Sequence, residues 1–155
     1  MDQLQTLTWQ YVAGRVDPAD LPMAAAHLLV EGFDSPALRD LAGRARGDGT
    51  REVFREALAE LGTALPDERT AERCLIHHLA GRLVAGELTP ATVAGEVWLL
   101  AMEGGTGAEA EFLDAIGPEY LIDLLTDGPS ERYLAWEDSV RSAAARLCRA
   151  EAPLR

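Results

Sequence analysis

Lysine is missing from this 155-residue chain, and all 14 of its basic residues are arginine. An arginine-only, alanine-rich composition reflects codon bias in a GC-rich genome more simply than a recognition device, and it is familiar from actinobacteria. Positive charge is scarce overall. The formal net charge of −12 argues against a nucleic-acid binder, because neutralising phosphates takes a net basic surface. It argues equally against an anionic membrane. No apolar run reaches the roughly 18 residues of a membrane span, and the first ten residues lack the positive start and apolar core of a signal peptide. A cytoplasmic protein is expected. Only two cysteines occur, Cys74 and Cys148, far apart and outside any Cys-x-x-Cys spacing, which predicts reduced thiols in a core.

What is present suits a folded domain. The chain is 48% hydrophobic and 26% charged, too apolar for a disordered chain of this charge, and its length fits a single domain over residues 1–155. No window shows strand alternation. Apolar residues recur instead at three- and four-residue steps between glycine stops and Ser-Pro, Thr-Pro or Asp-Pro starts.

Leu4, Leu7, Tyr11 and Val12 predict a helix over residues 2–13 ended by Gly14, with Trp9 off the stripe. Asp17-Pro18 opens a second helix, its inner face Leu21, Ala24, Ala25, Leu28 and Leu29 and its stop Gly32. Ser35-Pro36 starts a third, carrying Leu38, Leu41 and Ala42. Thr50 is expected to cap a fourth, with Val53, Phe54, Ala57, Leu58 and Leu61 inward. Pro66-Asp67 opens a candidate central helix with Ala71, Cys74, Leu75, His78, Leu79 and Leu83 on its apolar face. Gly81 inside that helix reads as a close crossing.

Thr89-Pro90 begins the next helix, with Val93, Ala94, Val97, Trp98 and Ala101 inward. Two short helices follow, one around Phe112, Leu113 and Ile116 and one around Tyr120, Leu121, Leu124 and Leu125. Ser130 caps the last, striped by Tyr133, Leu134, Trp136, Val140, Ala144, Leu147 and Cys148. The fold class is therefore all-α, an irregular bundle of about eight short helices or a few stacked hairpins. Gly32-x-x-Ser35-Pro36-Ala37 and Gly86-x-x-Thr89-Pro90-Ala91 share a grammar that fits either a duplicated hairpin or ordinary helix punctuation.

The phrase EGFDSPALRDLAG, Glu31 to Gly43, resembles a phrase in small, helical, functionally uncharacterised actinobacterial proteins. The likeness covers little of the chain, and it implies no activity.

The strongest functional signal is charge. Residues 87–131 hold ten carboxylates and no base, and Glu119, Asp123 and Asp127 fall four apart on one helical face, where like charges repel. Such a field suits a basic partner. Glu103, Glu109, Glu111, Asp114, Glu119, Asp123 and Asp127 are the candidate partner-binding residues. Five arginines, Arg39, Arg44, Arg46, Arg51 and Arg55, form the opposite pole. They read as a solvated loop with helix ion pairs, as a contact to the acidic stretch of a second copy that makes a homo-oligomer, or as a clamp for a phosphate or carboxylate.

Motifs for chemistry are missing. Cys74 and His78 lie one turn apart, but a zinc site needs three or four ligands and only Cys148 or His27 remains to complete it. The neighbours His77 and His78 point about 100 degrees apart on a helix. Gly104-Gly105-Thr106-Gly107 lacks the lysine and spacing of a phosphate loop, and no serine sits in Gly-x-Ser-x-Gly. No cofactor is implied. The expectation is a non-enzymatic, acidic protein-interaction module docking a basic protein partner, for example an immunity or antidote protein over the cleft of a nuclease-type toxin, or an adaptor. The alternative is a small-molecule-binding or regulatory helical domain walled by Trp9, Trp98 and Trp136. A helix-turn-helix over residues 18–43 would have only Arg39 on its reading helix, and an enzyme has no anchoring motif.

Overall fold

The computed structural model describes residues 2–45, 49–97, 107–117, 130–150 and 153–154. They form eight α-helices and one short 3₁₀ turn, and no strand occurs among the described residues. The helices are α1 (Gln3–Val12), α2 (Leu21–Val30), α3 (Pro36–Gly43), α4 (Thr50–Glu60), α5 (Glu68–Val84), α6 (Pro90–Val97), α7 (Gly107–Ile116) and α8 (Glu131–Leu147). The protein is an all-α helical bundle. Its backbone contacts group into two compact units, residues 1–71 and residues 72–153, with the division inside the first turn of α5. The short helix expected around Tyr120 to Leu125 lies outside the described residues, as does Trp98.

In the first unit α2 packs on α1, α3 and α4, and α3 packs on α4. Leu4 and Leu7 of α1, Leu21, Ala25 and Leu28 of α2, Leu38 and Leu41 of α3, and Val53, Phe54, Ala57 and Leu58 of α4 make one buried cluster. Tyr11 leans on Phe54 with ring centroids 5.0 Å apart. These are the residues the helical periodicity selects, because a three- and four-residue recurrence is a single stripe at 3.6 residues per turn.

The helix ends show how the turns are built. Asp2 caps α1 by accepting from the Gln5 amide at 2.7 Å. Ser35, itself buried, accepts from the Leu38 amide at 3.1 Å, and Glu60 reaches across from α4 to accept the Ala37 amide at 2.9 Å. One carboxylate thus satisfies a free amide of α3 and places its charge at the positive end of that helix. Gly32 closes α2 at φ +96° and Gly86 closes α5 at φ +78°, and the Phe33 and Glu87 amides return to the Leu28 and Arg82 carbonyls. The two Gly-x-x-Ser/Thr-Pro phrases therefore share one stop-and-start geometry, down to Thr89 accepting the Thr92 amide at 3.2 Å.

Several expectations need correction. Trp9 is 2% exposed and belongs to the interior. The second helix splits into the 3₁₀ turn Pro18–Asp20 and then α2, whose second position is Pro22. Thr50 is the first residue of α4, and Gly49 caps the helix at φ +60°. The freed Thr50 hydroxyl donates to the Pro18 carbonyl at 3.0 Å and ties α4 to the 3₁₀ turn. Gly81 marks no close crossing among the described residues, since a Cβ there would meet none of them within 4 Å.

In the second unit α7 packs on α8, and α6 meets α8. Val93, Ala94, Val97, Phe112, Ile116, Val140, Ala143, Ala144 and Leu147 are buried there. The Trp136 indole donates to the Ile116 carbonyl at 3.2 Å, and its ring lies 5.4 Å from that of Tyr133. Leu134 is half exposed and Cys148 is exposed, so the α8 stripe is narrower than its sequence suggests. On α5 the buried positions Ala71, Cys74, Leu75, Ile76, Leu79, Ala80 and Leu83 take up more than half the circumference. That width explains why a one-stripe reading omits Ile76 and Ala80.

Candidate functional site

The acidic stretch is where a function was expected, and its residues behave in three different ways. Glu109 lies in the first turn of α7 and is 0% exposed. The Arg73 Nε–H donates to both of its carboxylate oxygens, each at 3.0 Å, and His77 Nε2 lies 2.9 Å from Oε1. Arg73 and His77 are four apart on α5 and so share one face of it. Glu109 is thus withdrawn from any docking surface. A carboxylate with no access to water keeps its charge only against a cation and good donors, and α5 supplies these.

Glu111, two residues further along α7, points outward and accepts from Arg146 of α8 at 3.0 Å. Asp114 is exposed. Glu87 accepts from Arg82 at 2.9 Å. The stretch contains no base in sequence, yet α5 and α8 bring three arginines to its carboxylates, Arg73, Arg82 and Arg146. Glu103, Glu119, Asp123 and Asp127 lie outside the described residues.

The arginine pole is also partly spent. Arg39 makes a two-pronged contact to Asp34, with Nε to Oδ1 at 2.7 Å, and this holds the Asp34 carboxyl below its ordinary range. Arg44 donates to Asp40 at 2.9 and 3.1 Å. Arg55 is exposed, Arg46 lies outside the described residues, and Arg51 lines a cleft of about 540 Å³ with Tyr11, Arg15, Val16, Asp17 and Pro18. Three clefts among the described residues, each lined by residues of the first unit, have no tryptophan in their walls. Trp9 is interior, and the part-buried Trp136 engages Ile116.

Cys74 is buried, and desolvation pushes its thiol up to about 11; the Arg73 charge opposes this and the Glu109 charge adds to it. His78, expected beside it on the apolar face, is exposed. The inner histidine is His77. Among the described residues no three His, Cys, Asp or Glu side chains converge as a metal-ligand set, and no helix among them is long and apolar enough to cross a membrane.

The Arg73–Glu109–His77 cluster escaped the sequence reading because its members lie 32 and 36 residues apart. One signal was available. Glu109 sits three residues before Phe112 and seven before Ile116, on the stripe that the fold buries. No protein-family model matches the chain, and neither a curated protein nor a solved structure matches it.

Proposed function

We propose that this chain is a non-catalytic interaction module that docks a basic protein through the carboxylates of residues 103–127, Glu109 excepted. The observation that carries this reading is the sorting of acids along α7: the carboxylate at 109 is internal and held by Arg73, whereas Glu111, with Arg146 beside it, and Asp114 are exposed. The sequence then adds Glu119, Asp123 and Asp127 with no intervening base. On a chain of net charge −12 such a surface accelerates encounter with a cationic partner and discriminates against acidic ones. An antidote covering the basic cleft of a nuclease-type toxin is one form of this function, and an adaptor is another.

The test compares affinity capture by the tagged wild type and by a variant carrying Glu111→Lys, Asp114→Lys, Glu119→Lys, Asp123→Lys and Asp127→Lys, at low and moderate salt. A specific basic protein retained by the wild type, weakened by salt and lost from the variant, supports the reading. Equal retention by a folded variant sinks it.

The cleft lined by Arg15 and Arg51 favours a second reading, a regulatory domain for a small anion. A thermal-shift series with small carboxylates and phosphates tests it, and the absence of any stabilisation removes it.

A further inference from the structure

α1 and α2 differ from the rest of the described chain in carrying no Asp, Glu or Arg in their twenty residues, QLQTLTWQYV and LPMAAAHLLV, although charged residues make up 26% of the protein. The inner faces of both helices are accounted for by the first-unit cluster. Their outer faces are unusual. Met23 is 63% exposed and Val30 87% exposed; with the exposed His27 they fall at i, i+4 and i+7, one stripe along α2. His27 also borders a shallow cleft of about 310 Å³ with Gln3, Thr6 and Gln10 of α1, floored by Leu7, Ala24 and Leu28. The result is one continuous surface of aliphatic, amide and hydroxyl groups around an imidazole. The exposed acids nearest to it in sequence, Asp2, Asp20 and Glu31, stand at the ends of the two helices.

Depletion of charge at the centre with polar groups around it is the compositional mark of a protein–protein interface. The chemistry of the face also selects its occupant. A strongly basic or acidic partner would lose ion hydration here and find no opposite charge in return. An occupant must itself be uncharged, apolar at its centre and able to trade amide hydrogen bonds. The α1–α2 face of another copy has these properties, and two copies of net charge −12 bring no like charges into the centre of the contact when they meet there.

We infer that the chain forms a homodimer with twofold symmetry through the α1–α2 face, Met23, His27 and Val30 at its centre and Gln3, Thr6 and Gln10 beside them. A twofold contact presents the same patch from both copies, so a face without charge is complementary to itself. The dimer strengthens with salt, because screening relieves the long-range repulsion between two acidic bodies while leaving apolar contact intact. This is the reverse of the salt response expected for acidic docking. It also moves self-association away from the 39–55 segment, where Arg39 and Arg44 are held by Asp34 and Asp40.

Sedimentation velocity of the full chain at up to about 100 μM, a range that detects any Kd tighter than that, tests the inference. The wild type is expected as a dimer, more so at higher salt. Met23→Glu/Val30→Glu and Met23→Lys/Val30→Lys are each expected as folded monomers, their circular dichroism unchanged because both sites are exposed. Mixing the two variants is expected to restore a dimer, since opposite charges then face each other whichever way the helices run. A monomeric wild type, variants that remain dimeric, or a mixture that fails to pair overturns the inference.

Discussion

The two units fill their interiors with different chemistry. Around the first unit's apolar cluster the buried polar residues are small hydroxyls, Thr8, Ser35 and Thr50, each answered by a backbone group of the same unit. The second unit buries a full carboxylate at Glu109 and holds it with Arg73 and His77. A hydroxyl left without its partner costs about one hydrogen bond. A carboxylate left without its partner strands a charge, so the second unit is the more brittle.

The largest expected effect is at Arg73. The guanidinium is 26% exposed and the carboxylate 0%, so the two sides of the pair are unequal. Arg73→Met removes the guanidinium from a carboxylate with no exposure and should cost about 3–5 kcal/mol, the range for breaking a buried pair. Glu109→Gln leaves a guanidinium that can turn toward water and should cost less, about 1–3 kcal/mol. The double substitution Arg73→Met/Glu109→Met should recover much of the loss, since apolar replacement of a buried pair is often neutral. Urea unfolding of the wild type and the three variants checks this order of costs. Equal costs for the two single changes would show that the charges are solvated and erase the contrast between the units.

Hydroxyl deletions in the first unit should be milder. Ser35→Ala removes the α3 cap, and Thr50→Val removes the bond to Pro18. Each should cost about 1 kcal/mol, read as a shift in the urea midpoint at constant slope. A Thr50→Val cost as large as that of Arg73→Met would make the first unit the brittle one.

Gly81→Ala should stabilise by up to about 1 kcal/mol. The site is helical, its φ is ordinary and the added methyl meets none of the described residues within 4 Å. Destabilisation would restore the close crossing that the sequence suggested. The two thiols separate in the same experiment series: at pH 8 a thiol reagent should label Cys148 in the native protein and reach Cys74 only on unfolding, because burial raises the Cys74 thiol to about 11.

The all-α class, the first-unit core and most helix limits were legible because they follow from local chemistry. Leu4, Leu7, Leu28, Leu38, Leu41, Phe54 and Leu58 announce their burial by spacing alone, and Gly32, Ser35 and Gly86 announce turns by conformational preference and capping. Interactions that join distant segments were not legible. Residues 87–131 look uniformly unneutralised in sequence, yet Arg73, Arg82 and Arg146 reach Glu109, Glu87 and Glu111 from outside the run. Charge along a sequence reports composition, whereas charge at a surface depends on which helix packs beside it. The same limit hid the roles of His77 and Thr50, whose partners are 32 residues away in each case. The charge-free α1–α2 face was present in the sequence all along. Without the exposure of Met23 and Val30 it reads as ordinary helix interior.

The smallest effect expected concerns the surface pair of Asp34 and Arg39, and it sharpens the contrast from the opposite side. Hydrogen bonding to Arg39 lowers the Asp34 carboxyl from its ordinary 3.8. A carboxylate depressed on folding binds protons more readily when unfolded. Its contribution is therefore complete above the unfolded value and is lost as pH falls through the lower folded one. The window lies below about pH 4. Both side chains are more than half exposed, so solvent screens the pair and its share of stability is small. Asp34→Asn should leave the urea midpoint near its wild-type value at pH 3 and lower it slightly at pH 6, flattening the acid limb. The same comparison after Glu109→Gln should change the midpoint far more, because that carboxylate has no water to fall back on. If the two substitutions moved the midpoint equally at pH 6, burial would not distinguish the pairs, and the brittleness assigned to the second unit would fail with it.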